Sequence, residues 1–85
     1  MYTVYILYSE EASRYYIGYT SLSVYDRLNK HLSNHSGYTG KFKDWNLVYT
    51  ESFNLKSEAL RREKVLKNWK SKRRIQQLIS EHPAR

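Results

Sequence analysis

At 85 residues with no cysteine, the chain has room for one small domain, 1–85, built on one core, and disulfide staples, thiolate metal sites and thiol nucleophiles are excluded together. No apolar run approaches the roughly 18 residues of a membrane span, and no basic stretch followed by an apolar core opens the chain, so a soluble, cytoplasmic protein without a membrane partner is expected. The net charge of +7 is one-sided: residues 1–35 hold three basic and three acidic groups, 36–54 two and two, and 55–85 ten basic groups against Glu58, Glu63 and Glu81. Such a surface favours phosphate-bearing partners through counterion release, although lysines also decorate ordinary solvated helices.

Tyr2 to Tyr8, YTVYILY, and Tyr15 to Tyr19, YYIGY, are dense in β-formers and apolar at both parities, as strands covered on two faces are. The polar SEEASR between them suits an antiparallel hairpin. With Ser9 to Ala12 as the loop, Tyr8 pairs with Ser13, Tyr5 stands opposite Tyr16, and Thr3 stands opposite Gly18. A glycine inside such a strand gives up packing and marks a bulge or a place where another group comes close to the backbone. Ser21 or Ser23 can cap a helix to about Asn34 with Val24, Leu28 and Leu32 as its apolar stripe; Arg27 and His31, four apart, project beside that stripe. HSGYTGKFKD reads as an exposed loop.

Trp45 to Phe53, WNLVYTESF, alternates Leu47, Tyr49 and Glu51 against Val48, Thr50 and Ser52 as a third strand. Asn54 can cap a helix with the stripe Leu55, Ala59, Leu66 and Trp69, Leu60 on its flank and Glu63 on its border. Ser71 can cap a last helix through Ser80, with Ile75, Leu78 and Ile79 inward. The expected order is β-β-α-β-α-α, an α/β (α+β) architecture.

Two tyrosines on one hairpin face, an Arg and a His one turn apart, and a Glu at a helix border can form one site. In this order they resemble the GIY-YIG nuclease superfamily, in its small stand-alone form. Thr3-Val4-Tyr5 stands where the first motif belongs, with threonine in place of its glycine; Tyr16-Ile17-Gly18 is the second motif in full; Arg27-x-x-x-His31 and Ala59-x-x-Arg62-Glu63 follow. The resemblance implies a three-stranded antiparallel sheet flanked by helices and a metal-dependent endonuclease that hydrolyses phosphodiester bonds in nucleic acid, DNA in the first place. It also implies that Glu63 is the metal ligand. A single carboxylate completed by waters and phosphate oxygens suits Mg²⁺ or Mn²⁺, and the scatter of the other acids favours one ion over two.

The residues agree with this chemistry. Arg27 offers a fork of donors for nonbridging phosphate oxygens. Tyr5 orients or deprotonates the attacking water, which requires nearby positive charge because a phenol ordinarily titrates near ~10. His31 supplies that charge or shares the proton, Tyr16 hydrogen-bonds within the site, and Gly18 leaves room for the substrate to approach. Lys41, Lys67, Lys70, Lys72, Arg73 and Arg74 are candidate contacts to the nucleic-acid backbone, Asn68 an unassigned late asparagine. Each residue taken singly has a plainer reading: a packed strand tyrosine, a surface histidine, a Glu63–Lys67 pair at i,i+4. The rival function is a nucleic-acid-binding module with absent or slow catalysis; a basic face docked on an acidic protein is a third. Substrate choice is either nonspecific or delegated to a protein partner or a homodimer.

Overall fold

The strand-rich N-terminal run becomes β1 (Tyr2–Ser9), followed by β2 (Arg14–Thr20) and β3 (Trp45–Phe53), then helices α1 (Lys56–Trp69) and α2 (Lys72–Glu81). The computed structural model describes residues 1–21 and 44–82. The helix expected up to Asn34, the loop after it as far as Lys43, and with them Arg27, His31 and Lys41 lie outside the described residues. The three strands form an antiparallel sheet in the order β2-β1-β3. β1 is therefore the central strand, which explains why it is apolar at both parities. Val4 and Ile6 are buried on one face, Tyr5 and Leu7 on the other.

The hairpin forms two residues out of the expected register. Tyr8 pairs with Tyr15, Tyr5 with Gly18 and Thr3 with Thr20. The turn begins one residue later because Ser9 is worth more inside the strand than in the loop. Its buried hydroxyl donates to Asp44 Oδ1 at 2.5 Å and accepts the amide of Ala12 at 3.0 Å, while the Glu11 amide donates to Asp44 Oδ2 at 2.9 Å. Ser13 closes the turn with its amide 3.1 Å from Glu10 O and a φ of 54°. A slip of two leaves every side chain on its expected face.

β3 spans the expected residues, but its alternation breaks. Tyr49 pairs with Ile6 while Leu47 pairs with Leu7, so the register shifts between Ile6 and Leu7 and Val48 is the extra residue. In consequence Tyr49 and Phe53 join the Val4–Ile6 face, whereas Leu47 and Trp45 join Tyr5 and Leu7 on the other. Leu47 and Tyr49, expected to share a face, do not.

α1 and α2 pack on the Val4–Ile6 face through Ala59, Leu66, Ile75 and Leu78, the small Ala59 letting the helix come close to the sheet. The expected cap at Asn54 is not used: Leu55 takes the N-cap position, without a side-chain cap, and is exposed instead of joining the stripe. α2 begins as expected, Ser71 Oγ accepting the Arg74 amide at 3.3 Å. Between the helices Lys70 turns the chain with φ 50° and ψ 33°, a left-handed stop usually given to glycine.

Candidate active site

The face of the sheet away from α1 and α2 carries the tyrosine pair. Tyr5 lies directly opposite Gly18, and Tyr16, two residues back on β2, is its diagonal neighbour, so the pleat brings both rings over one spot. Their centroids are 6.4 Å apart at 32°. Tyr16 also meets Trp45 edge-on at 6.4 Å and 69°, and Leu7 and Leu47 complete the cluster. Tyr5 is 1% exposed, Tyr16 half-buried.

The space left at Gly18, expected to admit the substrate, is taken by the Tyr5 phenol. A Cβ on Gly18 would stand 2.6 Å from the Tyr5 hydroxyl oxygen, 2.8 Å from its Cζ and 3.2 Å from Tyr16 Cε1. The missing side chain lets the Tyr5 hydroxyl settle against the backbone of the neighbouring strand.

Glu63 comes from α1. It lies on the flank of α1 that carries Lys67, whose Nζ is 3.4 Å from Glu63 Oε2, and α1 covers the opposite face of the sheet. The Glu63 side chain keeps 17% of its surface open, so its border position in the helical stripe is as the sequence suggests. Among the described residues no group of three or more His, Asp or Glu converges as a metal cluster.

The basic residues divide between two surfaces. Lys67, Lys70 and Lys72 line a groove beside β2, where Lys72 Nζ also donates to Ser13 Oγ at 3.1 Å. Arg74 instead lies over the Trp69 ring at 4.3 Å, and Arg62 over the same ring at 5.8 Å. Arg73 is exposed. Arg62 Nε is also 3.1 Å from Glu51 Oε1, an ion pair whose angle falls short of a hydrogen bond, and Glu51 Oε2 accepts the Tyr49 hydroxyl at 2.5 Å. Burial first, then the Glu51 contact, pushes the Tyr49 phenol above its ordinary value. This Tyr49–Glu51–Arg62 chain braces β3 to α1.

Sequence reasoning passed over Trp45 and Arg14. Trp45 carried no motif, and its place beside Tyr16 depends on the bulge. Arg14, at the first position of β2, lines the groove; its sequence signal was a lone cation just before YYIG.

A family model for the GIY-YIG catalytic domain matches residues 1–76. No curated protein and no solved structure matches the chain.

Proposed function

The chain belongs to the GIY-YIG catalytic domain family, and on that footing we propose that it is a metal-dependent endonuclease acting on DNA through tyrosine-assisted attack of water. The observation that supports this most is the Tyr5 phenol seated against Gly18 with Tyr16 beside it. Since Tyr5 is buried and Tyr16 half-buried, water reaches the pair from the side of Tyr16. Tyr5 then orients that water or takes its proton, and Tyr16 fixes the arrangement by hydrogen bonding. Arg27 is assigned the charge that grows on the phosphate, and His31 the proton partner, both on sequence pattern.

A divalent ion fits Glu63 by donor type. The group is a hard carboxylate oxygen, still partly open to solvent, and its cationic partner among the described residues, Lys67, is on a flexible stem. One Mg²⁺ or Mn²⁺ held there by Glu63, waters and substrate oxygens would offset phosphate charge and acidify a water. Because α1 packs on the sheet face away from Tyr16, a substrate touching both Tyr16 and Glu63 lies along the β2 edge. Lys41, Lys67, Lys70, Lys72, Arg73 and Arg74 hold the backbone of the nucleic acid. The protein works in the cytoplasm, with substrate choice left to a partner or a homodimer.

The Glu63–Lys67 pair favours a second reading, a nucleic-acid binder on this fold without catalysis. A nicking assay on duplex, single-stranded, flap and junction substrates with Mg²⁺ or Mn²⁺ separates the two. At matched folding, Tyr5→Phe and Arg27→Ala should each lose on the order of 10²-fold in rate. Glu63→Gln should abolish metal-stimulated cleavage while binding in chelator persists. Full metal-stimulated activity in Glu63→Gln rules out the metal assignment, and wild-type binding without cleavage supports the second reading.

A further inference from the structure

A groove runs between β2 and the α1–α2 junction, lined by Arg14, Lys67, Lys70 and Lys72 with Tyr15 and Ile17 between them, and no carboxylate lines it among the described residues. Its volume of about 250 Å³ is below the roughly 300–1,000 Å³ of sites that enclose a drug-sized ligand. A phosphate and its sugar suit it better than a whole cofactor.

Local stability does not account for these cations. Lys70 occupies a left-handed position where glycine would be unstrained. Lys72 opens a helix whose first turn has no acid, contrary to what the helix dipole favours. The salt bridge from Glu63 offsets the charge of Lys67, and the Ser13 hydroxyl holds the Lys72 ammonium in place without neutralising it. Lys70 and Lys72 at one concave spot favour an anionic partner.

Resting on the nuclease reading, we propose that this groove holds one backbone phosphate of the substrate strand, across the edge strand from the tyrosine pair. The pleat of β2 supplies the connection: Tyr15 and Ile17 line the groove, and Tyr16 between them lies on the other face with Tyr5. A strand bound at both places passes around the β2 edge. Arg74, turned to Trp69, lies outside this groove.

The test is fluorescence anisotropy of a labelled DNA oligonucleotide in chelator over a salt series, comparing Arg14→Glu/Lys72→Glu with Lys56→Glu/Lys64→Glu. Both variants lower the net charge equally, and Lys56 and Lys64 lie outside the groove lining. The groove variant should bind at least ~10-fold more weakly and lose about 0.7–0.9 from its salt slope, the value of one phosphate contact, whereas the control changes far less. Glutamate at the start of α2 suits the helix dipole. Melting curves check folding, and if the double variant unfolds, Lys72→Glu against Lys64→Glu makes the same comparison. Equal losses in both variants, with wild-type cleavage intact, overturn the groove and leave the nuclease reading standing. Polyglutamate competing as well as DNA at equal charge overturns it in favour of an acidic protein. A wild-type chain that neither binds nor cuts nucleic acid overturns both.

Discussion

A side chain at Gly18 would begin 2.6 Å from the Tyr5 hydroxyl, and the Tyr5 ring is packed in a cluster with Leu7 and Trp45, so it has little freedom to yield. Gly18→Ala should therefore cost about 1–3 kcal/mol through overpacking and reduce cleavage further than the loss of folded protein explains, because the displaced group is the proposed water-activating phenol. Thermal melting and nicking on the same preparation check this; a stability loss with normal activity per folded molecule would mean that Tyr5 only packs. Asp44 is a second residue with a measurable signature. The Ser9 hydroxyl and then the Glu11 amide stabilise its ionised form and hold its carboxyl below the ordinary 3.8. A depressed carboxylate contributes stability that is present above its unfolded value and is lost as pH falls through the folded one. Asp44→Asn should accordingly flatten the stability curve below about pH 4, read by melting temperature across pH 2–7; an unchanged acid limb would show that the hairpin bracket is dispensable.

At the scale of elements, the α1–α2 junction joins stability to the groove. Lys70 carries the left-handed φ of 50° that an L residue adopts at a cost of roughly 1–2 kcal/mol. Lys70→Gly should raise the melting temperature, by a few degrees for about 0.5–1 kcal/mol in a domain of this size. It should also weaken DNA binding and lower the salt slope by about 0.7–0.9. A gain in stability with unchanged binding would remove Lys70 from the interface. The bulge in β3 acts in the same way on the sheet. By inserting Val48 it sends Tyr49 toward the helices, where Glu51 and Arg62 receive it, and Trp45 toward Tyr16 on the other face.

For the molecule as a whole, the excess of charge in 55–82 lies on and between two helices that cover one face of the sheet, while the tyrosine pair occupies the other. No described helix is long and apolar enough to cross a membrane. The strand identities, the Ser71 cap, the inward Ile75 and Leu78 and the shared face of Tyr5 and Tyr16 were legible in the sequence, because each depends on local propensity or on a short period that neighbouring residues repeat. The family could be read for the same reason, its motifs being contiguous triplets and helical spacings. Three things needed the tertiary structure. The hairpin register was settled by Asp44, more than thirty residues away along the chain, which completes the hydrogen bonds of Ser9 and Glu11. The parity of β3 was settled by a bulge, whose extra residue has no distinct local signal and becomes visible only when Leu47 and Tyr49 are paired with β1. The convergence of Arg14 with Lys67, Lys70 and Lys72 follows from which face of the sheet the helices cover. That choice is made by burial of long-range partners, to which the period of a single helix is blind.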